Sequence, residues 1–218
     1  MRWCYLGRVE YREALALQEE LRAAVAEGRV GNTLLLLEHP PVITLGRSAN
    51  EAANVLVTEE ERRIRGVDLV RVGRGEDVTY HSPGQLVGYP IRRIGRAVRP
   101  HVEGMAWALA DVLGRLNIES WWNDDTPGVW TRKGKIAAVG VDARGGVTMH
   151  GFALNVRTRL SDFRMIIPCG LEAAVTSIED LRGEGGAPDL PTVARWMAEA
   201  LARRYGVDPV EVSPEELR

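Results

Sequence analysis

At 218 residues and 45% hydrophobic content the chain can bury a full core, and a formal net charge of -2 gives no general basis for a nucleic-acid or membrane-surface partner. Two distant cysteines, with no basic start leading into an apolar segment, argue against a disulfide scaffold and for a reducing, cytoplasmic setting. The apolar runs fall far short of the ~20 residues of a membrane span, and no CxxC or HExxH spacing offers a metal site.

Taken in chain order, "RWCYLG" holds Cys4 as a small buried hydrophobe. Residues 9–28 carry Leu15, Leu21 and Val25 at helical spacing and stop at Gly28. "NTLLLLEH" (32–39) reads as a buried strand, followed by a Pro-Pro turn and a short strand "VITLG". Thr58 with Glu61 three residues on forms a capping box for a short helix over 58–66. Residues 67–75 and 85–91 read as strands, and 100–117 as an amphipathic helix. "GVWT" precedes a hairpin over 135–156 with its turn in "ARGG", and "PTVARWMAEALARRYG" closes the chain as a helix. Adjacent strands with helices set apart predict an α/β (α+β) fold: one domain over 1–218 with a mixed, largely antiparallel sheet flanked by helices, not a doubly wound Rossmann sheet.

Three features carry chemistry. First, of 28 basic residues 26 are arginine, and the only lysines are Lys133 and Lys135, both in "TRKGKIAAVG". A lysine kept against that bias suits a role in which a proton must move, because an arginine does not usefully lose its own. Lys133 reads as a surface lysine beside a turn, whereas Lys135 leads directly into an apolar strand. Second, "IIPCGL" (166–171) sets Cys169 between a proline that fixes its own φ and a permissive glycine. That turn either presents a thiol to a pocket or simply ends a strand with an incidental cysteine. Third, glycines and polar residues cluster at "GRGEDVTYHSPGQLVGYP" (73–90), "KIAAVG" and "MHGFALNV". The first is neither a P-loop nor a dinucleotide fingerprint. In the third, His150 and Gly151 interrupt a regular strand and Asn155 is placed to anchor a loop. His39 and His101 read as satisfied structural histidines.

"RGEDVTYHSPGQLVGYPI", "GVWTRKGKIAAVG", "HGFALNV" and "IIPCGL", in this order and spacing, resemble the lipoyl(octanoyl) transferases, relatives in fold of the biotin and lipoate protein ligases. The likeness runs from "LLLLEHPPVITLGR" to "PCGL". Two positions depart from the family: Glu76 follows Arg74-Gly75 where a second glycine is usual, and Ser82 follows His81 where glycine is usual.

The resemblance implies a ligase-like fold and an acyltransferase without a cofactor. Such an enzyme takes octanoyl from acyl carrier protein, holds it on a cysteine, and passes it to a lysine of the lipoyl domains of 2-oxoacid dehydrogenase complexes or of the glycine cleavage H protein. It puts the nucleophile at Cys169 and its activating lysine at Lys135. It maps the substrate-contacting backbone onto Arg74, Gly75, Glu76, Asp77, Val78, Thr79, Tyr80 and His81, onto Ala138, Val139 and Gly140, and onto Gly151, Phe152 and Ala153. The chemistry agrees: a nearby ammonium lowers a thiol pKa from ~8.5, and backbone N–H groups at glycine-rich turns stabilise the oxyanion of thioester attack. Two other readings are an ATP-dependent lipoate or biotin protein ligase, which needs no cysteine nucleophile, and a carrier-protein binding module centred on "RRIGRAVR" (92–99). That basic run reads either as a solvated face or, in the transferase or the binding module, as a dock for an acidic carrier.

Overall fold

The computed structural model describes residues 1–47, 49–73, 78–167 and 174–217. The chain opens with β1 (Arg2–Arg8), α1 (Tyr11–Glu27), β2 (Thr33–Glu38) and β3 (Val42–Leu45). Two short helices follow, α2 (Glu51–Asn54) and α3 (Glu59–Arg65), then β4 (Asp68–Arg71), β5 (Val78–His81) and β6 (Gln85–Ile91). Next come α4 (Val98–Gly114), β7 (Trp121–Asn123), β8 (Gly128–Thr131), β9 (Gly134–Arg144) and β10 (Val147–Asn155). A 3-10 turn over Leu160–Met165, α5 (Ile178–Arg182), α6 (Leu190–Tyr205) and β11 (Val210–Glu211) complete the order before a last 3-10 turn.

An eight-stranded sheet has the order β11-β1-β2-β6-β10-β9-β8-β7, and a three-stranded sheet the order β4-β3-β5. β1 runs parallel to both β11 and β2, and every other pair in the large sheet is antiparallel. Period-two alternation sorts β2 cleanly between the faces. Leu34 and Leu36 join the core with the apolar sides of α4 and α6, while Leu35 and Leu37 pack on Ala14, Leu21 and Val25 of α1. With both faces covered, all six residues of "TLLLLE" are drawn from water apart from the half-buried Glu38, which explains an apolar run without alternating polarity.

Local signals set several boundaries. The Thr58–Glu61 capping box forms as its spacing predicts, with the Glu61 N–H donating to Thr58 Oγ1 and the Thr58 N–H to the Glu61 carboxylate. Gly28, Gly66 and Gly206 end α1, α3 and α6 in the left-handed conformation. Gly145 and Gly146, at φ 58° and 76°, turn β9 into β10 through the two-residue loop that favours positive φ. The sequence missed β1, the edge strands β7 and β11, α2, α5 and, most consequentially, β5. Residues 78–81 look like part of a glycine-rich loop, yet they pair with β3 from Val42–His81 to Leu45–Val78. The pairing partner lies more than thirty residues upstream and leaves no local mark.

Candidate active site

Lys135 stands at an irregularity between β8 and β9. Trp130 pairs with Lys135 but Val129 pairs with Ala137, so β9 carries one extra residue at Ile136. Ile136, Ala137 and Val139 join the helix-covered core, while Lys135, Ala138 and Gly140 line cavities on the other side, one of which Ala137 also borders. Strict alternation would have put Lys135 on the same face as Ala137 and Val139; the bulge re-aims it. The space its side chain needs comes from Gly128, where a Cβ would stand 2.3 Å from Lys135 Cε and 3.1 Å from Nζ. The other lysine is used differently: Lys133 Nζ donates to the Asp180 carbonyl at 3.1 Å on the surface.

Cys169 lies outside the described residues, as do Arg74, Gly75, Glu76 and Asp77. The chain on either side of 168–173 is firmly held. Before it, the Ile167 N–H donates to the Asn54 carbonyl at 2.9 Å, and Asn54 Nδ2 returns a bond to the Ile167 carbonyl at 3.1 Å. After it, the Lys135 N–H donates to the Ala174 carbonyl at 2.8 Å and the Thr176 N–H to the Lys135 carbonyl at 3.0 Å. Gly134 permits this crossing, since a Cβ there would lie 2.3 Å from the Ala174 oxygen. Ile166 and Val175 then line the same cavity as Lys135, together with Val78, Thr79, Ala138, Ala153 and Phe163.

A directed chain of side-chain hydrogen bonds braces this arrangement. Its sense is fixed at one end by the Thr176 carbonyl, which only accepts. Asn155 Nδ2 therefore donates to it at 3.0 Å, Gln85 Nε2 donates to Asn155 Oδ1 at 2.9 Å, and His81 Nδ1 donates to Gln85 Oε1 at 2.7 Å. All three side chains are buried, where a missing partner would leave a costly unsatisfied group. The chain ties β5, β6 and β10 to the segment following residue 173, which is the anchoring expected of Asn155.

A second cavity shares Thr79, Ala138 and Ala153 with the first and continues past Gly140, Gly151 and Phe152 to Tyr11, Tyr89 and His150. Gly151 in its lining, and Gly88 behind it, are sterically required. A Cβ at Gly151 would meet the Gly88 carbonyl at 2.2 Å, and one at Gly88 would enter the Phe152 ring. His150 adopts φ 60°, a left-handed conformation uncommon outside glycine, with its N–H donating to Gln18 Oε1 at 2.8 Å. His39 braces the wall from behind: Nδ1 donates to the Val9 carbonyl at 2.7 Å, so Nε2 accepts from the Tyr89 hydroxyl at 2.8 Å. Burial pushes its pKa down to about 4, which keeps it neutral and structural.

Of the residues named from sequence, Val78, Thr79, Tyr80, His81, Ala138, Gly140, Gly151, Phe152 and Ala153 meet around these two cavities. Val139 lines neither, because its side chain faces the helices. Tyr11, Tyr89 and Gly128 were missed; Tyr11 reads only as the start of an amphipathic helix, and nothing local reveals that Gly128 makes room for a lysine seven residues away. Cys4 is an inert thiol, its pKa raised to about 11 by burial and then by Glu211, Glu215 and Glu216. Two arginines of the run at 92–99 are engaged within the fold. Arg92 lies 3.4 Å over the Tyr205 ring and donates toward His101, and Arg93 donates to the Val25 and Ala26 carbonyls at the end of α1. These two arginines are used inside the fold, so they are not a free docking face.

The architecture is that of a catalytic domain shared by lipoate and biotin ligases. A lipoate-protein ligase A bound with ATP matches over 99% of this chain and 91% of its own with a TM-score of 0.83 at 18% identity. A biotin protein ligase from Aquifex aeolicus matches 94% and 70% with a TM-score of 0.55 at 13% identity. More specifically, residues 10–202 match the lipoyl protein ligase A/B catalytic domain, and the chain belongs to that family. Its relatives include octanoyltransferases from Caldicellulosiruptor bescii, 46% identical over 83% of this chain and 81% of that protein, and from Geobacter sulfurreducens, 41% identical over 98% and 86%.

Proposed function

We propose that this chain is an octanoyltransferase of lipoate biosynthesis, taking octanoyl from acyl carrier protein through a thioester on Cys169 to a lysine of a lipoyl domain. The observation that carries the reading is Lys135: a bulge and Gly128 aim it into the cavity that both flanks of 168–173 also line. Relatives at 41–47% identity that carry the octanoyltransferase name favour transfer over ATP-dependent ligation, which the ligase-like fold alone does not separate.

In the first step the Cys169 thiolate, favoured by the Lys135 ammonium, attacks the donor thioester carbon. The bond from that carbon to the pantetheine sulfur breaks, and Lys135 gives its proton to the departing thiolate. In the second step the neutral lysine takes a proton from the acceptor amine as nitrogen attacks the Cys169 thioester. An amide forms and the cysteine thiolate is regenerated, so one difficult transfer becomes two acyl steps. The linked cavities offer the acyl chain an apolar seat beside Lys135. Neither Glu76 nor Ser82 supplies the nucleophile or the moving proton in these two steps.

Transfer from octanoyl carrier protein to a lipoyl domain should proceed with no nucleotide, in the presence of a chelator and a nucleotide-degrading enzyme. Activity that disappears under those conditions would select the ligase instead. The natural acceptors are expected among lipoyl domains of 2-oxoacid dehydrogenase complexes and the glycine cleavage H protein.

A further inference from the structure

Across Tyr80 from Lys135 lies an open groove lined by Arg65, Arg157 and Arg159, with Ser82, Pro83 and Asp162 among its walls. Tyr80 lines both this groove and the Lys135 cavity, and neighbouring residues of one segment divide between them. Asp162 and Met165 face the groove; Phe163 and Ile166 face the cavity. One layer of side chains therefore separates the groove from the proposed site of acyl transfer.

The positive charge of the groove is poorly neutralised. Several exposed arginines elsewhere sit against carboxylates, as Arg63 does on Glu60, Arg71 on Glu51, and Arg204 on Asp111. The guanidinium groups of Arg65 and Arg159 form no hydrogen bond or close ion pair among the described residues, although Arg65 feels the charge of Glu61 one turn back on α3. The carboxylate lining the groove, Asp162, accepts from the Tyr80 hydroxyl at 3.3 Å. Arg157 is held in place: its N–H donates to the Gly84 carbonyl at 2.9 Å, its guanidinium to the Ala187 carbonyl, and Gly84 at φ +85° leaves no room for a Cβ against the Arg157 oxygen. The Ser82 hydroxyl, buried at the wall, has no hydrogen bond of regular geometry, although it stands close enough to the Tyr80 phenol to interact with it. Planar guanidinium groups beside a hydroxyl suit the oxygens of a phosphate.

We infer that this groove seats the phosphodiester of the donor's pantetheine arm, with Arg65 and Arg159 as its anion contacts and Arg157 as the fixed wall beside them. The inference rests on the proposed transfer reaction, whose donor presents its acyl group at the end of a phosphate-bearing arm. It moves electrostatic recognition of the donor away from 92–99, where Arg92 and Arg93 are engaged within the fold, to the mouth of the reactive cavity.

Two small donors isolate the phosphate: octanoyl-4′-phosphopantetheine and octanoyl-pantetheine. The parent should show a KM lower by roughly three- to tenfold for the phosphorylated donor, as expected for two exposed charge-assisted contacts. The double variant Arg65→Gln, Arg159→Gln should bring that ratio close to one while kcat with octanoyl-pantetheine stays at the parental value. A parent without preference, or a variant that keeps it, overturns the site. Failure of both donors to acylate the protein would instead count against the transfer reaction. Calorimetric titration with 4′-phosphopantetheine and pantetheine then decides the groove separately: tighter phosphate binding lost in the double variant supports it, and equal binding of the two arms overturns it.

Discussion

Two buried polar clusters, each built around a histidine, have opposite relations to the candidate site. In the cluster between β5, β6 and β10, His81, Gln85 and Asn155 pass hydrogen bonds in one direction and end on the backbone carbonyl of Thr176, beside Lys135. At the contact of α4 and α6, His101 stacks on Tyr205, which lies under Arg92, and His101 Nε2 finds no partner. The first cluster braces the backbone beside the proposed catalytic lysine; the second cements helices to the sheet. Density of charge in the sequence points to the neighbourhood of the second, where Arg92 belongs to the run "RRIGRAVR", while the proposed chemistry gathers around small residues and amides. A buried amide chain can fix a backbone segment in one orientation, whereas a guanidinium over a ring mainly fills space and satisfies itself.

The contrast breaks most visibly at Lys135. Lys135→Arg keeps a cation but no usable base, and should lower transfer to the lipoyl domain by ~10²–10⁴-fold while thermal melting changes little. Single-turnover measurement should find acylation less affected than the second step. Near-parental rates in both would reduce Lys135 to an electrostatic role. Arg92→Ala is the counterpart, expected to lower the melting temperature and leave the chemical steps unaltered.

Gly128→Ala should come next, because its Cβ would displace the Lys135 side chain and the backbone at φ +150° resists any side chain. Misplacing a reacting group by about an ångström can cost ~10²-fold in rate. Parental activity in a folded Gly128→Ala variant would show that the lysine does not need this path. Asn155→Ala removes the link between Gln85 and the Thr176 carbonyl, and should cost ~1–3 kcal/mol in chemical denaturation together with a loss of activity. An effect on stability alone would make the amide chain as purely structural as the α4–α6 cluster.

The smallest effect separates the clusters by pH. Burial lowers the pKa of His101 to about 4, with the Arg92 charge adding to the shift, against 6.5 for the unperturbed group. The unfolded chain then binds more protons than the folded one between those values, so the stabilisation from a neutral His101 is complete above about 6.5 and is lost as pH falls towards 4. His39 contributes in the same sense, with its pKa also about 4. His101→Gln should flatten part of that slope in melting experiments from pH 7 to 4. An unchanged slope would place the acid sensitivity elsewhere.

The sheet and its helices were legible in the sequence wherever patterning was local. β6 and the β9–β10 hairpin follow from apolar runs and a Gly-Gly turn, and the capping box at Thr58 located α3. What escaped depends on distance along the chain. β5 is a strand only because β3 pairs with it, and Gly128 matters only because Lys135 crosses it. Lys135 itself was legible from composition, through the scarcity of lysine among so many arginines. The bulge that turns its side chain toward the cavity was not, because it arises from the register between two strands. The groove at Arg65, Arg157 and Arg159 draws on segments nearly a hundred residues apart, while in the contiguous run at 92–99 the fold itself engages Arg92 and Arg93.

The central claim is that this fold carries octanoyl as a thioester on Cys169, and intact mass measurement after mixing with octanoyl carrier protein tests it directly. The parent and Cys4→Ala should each gain one octanoyl group, released by hydroxylamine, and Cys169→Ala should gain none. An adduct that persists in Cys169→Ala would contradict the account.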